Sequence, residues 1–100
     1  MVKHIVLWSL HDNAEGNTSL ENALLAKTKL EALKGLIPDI IDIEVGINLV
    51  GEASSVDICL YSTFKDEAGL KAYQVHPEHQ RVLPFMMAIK AERHVIDYSI

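Results

Sequence analysis

Ile41-Asp42-Ile43-Glu44-Val45-Gly46-Ile47-Asn48-Leu49 is the stretch that decides how this chain folds. Apolar side chains recur at every second position, and Asp42, Glu44 and Asn48 fall between them. A repeat of two sends alternate side chains to opposite faces, so the stretch reads as a strand with one face on a core and the other in water. A turn from Gly51 to Ser55 follows. Val56 to Phe64 then has the composition of a strand inside a sheet, largely apolar on both faces.

Upstream of these two strands, residues 2–10 read as another, with Ile5 and Leu7 on one face and His4, Val6, Trp8 and Leu10 on the other. A polar loop containing Asp12, Asn13, Gly16 and Asn17 leads to Thr18 and Glu21, whose spacing is that of a helix-starting capping box. Ala23, Ala26, Leu30, Leu33 and Ile37 continue at helical spacing, with Gly35 and Pro38 as stop signals. Downstream, Asp66 caps a helix to about Val75, and Pro77 breaks it. A last helical stretch runs toward Glu92 with Val82, Phe85, Met86 and Ile89 as its core side and a kink expected at Pro84. His94 to Ile100 reads as the closing strand, anchored by Val95, Ile96 and Tyr98.

The order is strand, helix, strand, strand, helix pair, strand. This predicts an α+β, ferredoxin-like βαββαβ fold with an antiparallel four-stranded sheet, as a single domain over residues 1–100. Both helical segments must then cover one face of the sheet. The other face keeps apolar groups from the first and third strands, and monomers rarely leave such a patch in water. A homodimer joined through its sheet faces is therefore predicted, with a standard interface of about 1,600 Å².

The chain has 100 residues, 49% of them hydrophobic, which suffices for a core. Nine basic against fourteen acidic side chains leave a net charge of -5, scattered rather than blocked, which argues against a nucleic-acid partner. The one cysteine, Cys59, has no partner for an internal disulfide, so a reducing, cytoplasmic setting is expected. Met1-Val2-Lys3-His4-Ile5 leads into a short β-like run rather than a secretory leader, and no stretch is long enough to span a membrane.

Chemistry concentrates in Tyr73-Gln74-Val75-His76-Pro77-Glu78-His79. Pro77 biases His76 toward an extended backbone, so Tyr73 should lie on the last turn of one helix and His79 on the first turn of the next. Imidazole titrates near neutral pH, which suits His79 to general-base work, and a phenol beside it can stabilise a developing enolate. A purely structural role is the alternative for each: a histidine bonding the preceding loop, a core tyrosine capping a backbone group. His76 reads as a junction residue whose ring bonds backbone freed by the break. His4 shares a strand face with Val6 and Trp8, and its interest depends on meeting His79. His11 and His94, at strand ends, read as solvated. No cysteine or third histidine completes a zinc pattern with His76 and His79, so no metal is assigned. Met86 and Met87 read as adaptable filler able to line a cavity.

The opening Val-Lys-His-Ile-Val-Leu, the Ile-Pro-Asp-Ile before a Glu-Val-Gly strand, Ala-Tyr-Gln-Val-His-Pro-Glu-His and the closing Val-Ile-Asp-Tyr together resemble the stress-responsive dimeric α+β barrel (Dabb) family. The likeness runs almost the whole length, and Tyr-x-x-His-Pro-x-His is its central motif. It implies the ferredoxin-like fold and the dimeric barrel. Catalytic members it resembles are plant polyketide cyclases, which close poly-β-keto thioesters with a tyrosine and a histidine between sheet and helices. By that resemblance Tyr73 polarises a carbonyl and His79 is the general base, while His4 and His76 match histidines near the same cavity; Trp8, which is not typical of the family, is placed with them as a substrate-binding residue. The expected ligand is a small apolar carbonyl-bearing molecule turned over by cyclase- or lyase-like acid–base chemistry. Related dimeric barrels include haem-degrading monooxygenases, but no haem-ligand motif is found and no cofactor is expected. The alternative is a non-catalytic, stress-related or structural dimer.

Overall fold

Alternation is strict in the first strand, β1 (Val2–Leu10): every even-numbered residue is buried and every odd-numbered one is partly exposed. The computed structural model describes residues 1–52 and 55–100. A two-residue turn at Glu15 and Gly16, both with positive φ, joins the short strands β2 (Asn13–Ala14) and β3 (Asn17–Thr18). Gly16 tolerates that backbone freely, which is why a tight hairpin fits there.

Thr18 then caps α1 (Ser19–Glu31), with the reciprocal Thr18–Glu21 capping box formed. Such a cap contributes about 1 kcal/mol. A 3-10 turn over Ala32–Gly35 continues it, and Ala23, Ala26, Leu30, Leu33 and Ile37 are all buried. Next come β4 (Ile40–Ile47) and β5 (Ile58–Phe64). The Gly51–Ser55 turn expected between them includes Ala53 and Ser54, which lie outside the described residues. Asp66 caps α2 (Glu67–Val75), accepting from the Gly69 N–H at 2.9 Å. Pro77 opens α3 (Pro77–Ile89), and β6 (Lys90–Ser99) follows without a loop.

The four long strands form an antiparallel sheet in the order β4-β5-β1-β6, the ferredoxin-like arrangement. The core lies between the inner face of that sheet and the helices, where Val6, Leu60, Phe64 and Ile89 are buried.

Four expectations need correction. Ile41 and Leu49 were assigned to the buried face of their strand, but both are exposed. A bulge explains Ile41: Ile40 pairs with Phe64 and Asp42 with Thr63, so Ile41 is the extra residue and Ile40 turns inward instead. Leu49 lies past the end of β4. Third, α3 stops at Ile89 rather than near Glu92, and β6 starts at Lys90 rather than His94. Pairing decides this, because Leu10 pairs with Lys90 and the His11 N–H bonds the Ile89 carbonyl at 3.0 Å. Val95, Ile96 and Tyr98, expected as anchors, are exposed along β6, which is an edge strand of the sheet.

The opposite edge is closed differently. Glu31 accepts from the Val45 N–H at 2.9 Å, while Lys27 donates to the Val45 carbonyl and to Glu31. Lys34 donates to the Ile41 carbonyl at 3.1 Å. Side chains from α1 and the turn after it thus occupy the backbone groups of β4 that another strand would need.

Candidate functional site

The junction between α2 and α3 forms as a consequence of Pro77. His76 is the last-turn cap of α2 and the N-cap of α3, with an extended backbone, and its Nδ1 accepts from the Glu78 N–H at 3.1 Å. That cap directs α3 back across the sheet and carries His79 over Tyr73. The two rings lie 4.4 Å apart between centroids. Phe64 packs against Tyr73 from β5 at 5.0 Å, and the His4 ring stands 6.1 Å from Tyr73.

A cavity of about 110 Å³ opens between the sheet and the helices at this point. His4, Trp8, Tyr73 and His79 line its polar and aromatic part, and Leu60, Met86 and Met87 much of the rest. Four of the five expected site residues are thus brought together. His76 is not among the lining residues, because its ring is occupied in capping α3.

The protonation states follow from the surroundings. Burial pushes the Tyr73 hydroxyl up to about 12, opposed by the positive charge of Arg93, so it remains a phenol at any ordinary pH. It makes no hydrogen bond among the described residues, which leaves its O–H free for a ligand. Burial pushes the His79 imidazole below its usual range; the hydrogen bond to the Gln74 carbonyl works the other way, and His4 and Arg93 add to the lowering. His79 Nδ1–H donates to Gln74 at 3.0 Å, so the neutral ring keeps its lone pair on Nε2. On the other side of Tyr73, the buried His4 donates from Nδ1 to the carboxylate of Asp97. That bond orients the ring and leaves Nε2 as an acceptor. Among the described residues no group of three or more His, Cys, Asp or Glu could hold a metal ion.

Asp97, Arg93 and Lys90 carry no signal of their own in the sequence. Only the pairing of β1 with β6 sets Asp97 opposite His4 and Arg93 opposite Trp8. Alternation places both on the inner face, four residues apart, but this can be read only once β6 is known to be the neighbour of β1.

Residues 2–100 match the stress responsive A/B barrel domain, Dabb. The chain belongs to this family. Among solved structures, a dimeric protein of unknown function and ferredoxin-like fold from Bacteroides fragilis is 35% identical, with a TM-score of 0.86 over 99% of this chain and 95% of that one. A dimeric ferredoxin-like protein of unknown function from Thermobifida fusca is 25% identical, with a TM-score of 0.79 over 99% and 90%. Hydroxynitrile lyase from Passiflora edulis shares the fold at 18% identity, with a TM-score of 0.74 over 99% and 92%. No functionally curated protein matches the chain. Among the described residues of this A/B barrel chain, no helix is long and apolar enough to cross a membrane.

Proposed function

We propose that this A/B barrel chain is a homodimer that binds a small apolar carbonyl compound between its sheet and helices and moves a proton at the carbon beside the carbonyl, in lyase- or cyclase-like acid–base chemistry. One observation carries the reading. A phenol with a free O–H and an imidazole with a free Nε2 lie 4.4 Å apart, ring to ring, on one largely apolar cavity. His79 Nε2 takes the proton, the C–H electron pair moves onto the carbonyl to form an enolate, and the Tyr73 O–H donates to the developing oxyanion. His79 returns the proton to the product. His4, set by Asp97, supplies a second polar contact, Trp8 forms apolar wall, and His76 acts by holding α3 in place.

The cavity limits the ligand. At about 110 Å³ it is smaller than the roughly 150 Å³ that accommodates benzene, so ligands of about that size require Met86 and Met87 to give way. Dimerisation is supported by the dimeric relatives from B. fragilis and T. fusca and by the apolar side chains left on the outer sheet face, where Ile5 lies between Tyr61 and Ile96.

Deuterium exchange into methyl butyl ketone, followed by proton NMR, tests the chemistry. The native protein accelerates exchange beside the carbonyl, His79→Gln loses about 10²–10⁴-fold of that acceleration, and Tyr73→Phe loses a smaller part. No acceleration by the native protein, or equal acceleration by His79→Gln, would overturn the reading. The non-catalytic alternative has its own support: both His76 and His79 bond backbone at the junction, as braces would.

A further inference from the structure

We propose that the natural ligand carries a carboxylate in addition to its carbonyl, and that Arg93 and Lys90 receive that anionic end; this rests on the carbonyl-binding reading above. Both side chains line the cavity, and no acidic residue among the described ones does. Neither forms an ion pair or a side-chain hydrogen bond among the described residues. Most other cations of this acidic chain are engaged. Lys27, Lys34 and Arg81 have carboxylate partners, and Lys3 and Lys29 lie over the rings of Tyr61 and Phe85. The two acidic groups on β6 are taken as well, Asp97 by His4 and Glu92 by His94.

The register places the cations at a defined end of the cavity. Asp97 pairs with His4, Arg93 with Trp8 and Lys90 with Leu10. Four residues of strand separate the His4–Asp97 pair from Arg93, about 13 Å along the backbone at 3.3 Å per residue. Val6, Leu60 and Met86 provide apolar lining. A ligand matching this layout has a carbonyl at one end, a short apolar middle and an anion at the other. Arg93 lines the same cavity as Tyr73 and His79, and its positive charge bears on both. A planar guanidinium offers a carboxylate two parallel N–H donors, and a carboxylate enters an apolar cavity only when it is paired. Because Arg93 is largely exposed, water and salt screen part of the attraction, and the expected gain is modest.

Isothermal titration of the native protein with levulinate and with methyl butyl ketone, keto compounds of nearly equal size, tests the proposal. Levulinate binds about tenfold more tightly, the advantage shrinks as salt is added, and Arg93→Gln together with Lys90→Gln removes it while leaving ketone binding unchanged. Both positions lie on the edge strand, and an unchanged circular dichroism spectrum checks that the variant folds. If the ketone binds and levulinate binds no better, the anion subsite is overturned while the carbonyl reading stands. An advantage that survives in the double variant also overturns it. If neither compound binds, both readings fall together.

Discussion

The two faces of β1 both carry apolar side chains, Val2, Val6, Trp8 and Leu10 on one and Ile5 and Leu7 on the other, and end in different situations. Val2, His4, Val6, Trp8 and Leu10 lie beneath the helices and are buried, whereas Ile5 and Leu7 lie on the opposite face and remain partly exposed. On the inner face the chain supplies its own cover, and a polar cluster of His4, Tyr73 and His79 interrupts the packing around a cavity. On the outer face Ile5 stands between Tyr61 and Ile96 and Leu7 between Cys59 and His94, and both keep part of their surface exposed. Apolar side chains thus serve two purposes: an inner face complete within one chain, and an outer one that a second copy completes in the proposed dimer.

The largest effect expected from breaking this contrast is on the inner face. Phe64 is fully buried and supports the Tyr73 ring, so Phe64→Ala should cost about 3–5 kcal/mol in denaturant unfolding at a fixed protein concentration. Ile5→Lys should act on the outer face instead. It places a charge at the centre of the proposed interface and should weaken association by about 2 kcal/mol or more, seen in sedimentation velocity over a range of concentrations, while the chain still folds. Equal loss of folding in both variants would remove the distinction between the faces.

Smaller effects separate the two members of the central pair. The Tyr73 hydroxyl has no partner among the described residues, so Tyr73→Phe should change unfolding free energy by less than about 0.5 kcal/mol. His79→Leu breaks the bond to Gln74 and should cost about 1 kcal/mol. A large loss in Tyr73→Phe would mean that its hydroxyl braces the fold. The smallest signal is in the pH dependence. Folding lowers the His79 pKa, so as pH falls the unfolded chain takes up that proton before the folded one. The contribution of the neutral ring is therefore complete above the ordinary value of 6.5 and is lost as pH falls from there through the folded value. Urea titrations at a series of pH values should show this acid-side slope in the native protein and a shallower one in His79→Leu.

Much of the fold was legible because its signals are local. The Thr18–Glu21 box, the Asp66 cap and the Pro77 break each depend on residues within a few positions, and all three formed as read. Ile41 escaped the reading because a bulge adds one residue to one partner of a strand pair, and the extra residue is identified only by what lies opposite it. The loopless passage from α3 into β6 escaped for the same reason, since Lys90 is strand only by virtue of pairing with Leu10.

The candidate site divides along that line. Tyr73 and His79 could be placed near one another from sequence, because only five residues, Pro77 among them, separate them. Asp97 could not be assigned to His4, nor Arg93 and Lys90 to the cavity, because residues 11–89 lie between those strands and nothing local records which of them pair. Spacing along the chain determined the elements, their order and the helix junction, through hydrogen bonds and side-chain periodicity that act over one or two turns. The register of β6 against β1, the orienting carboxylate and the unpaired cations were decided only by the tertiary structure, where backbone pairing brings distant side chains onto one face.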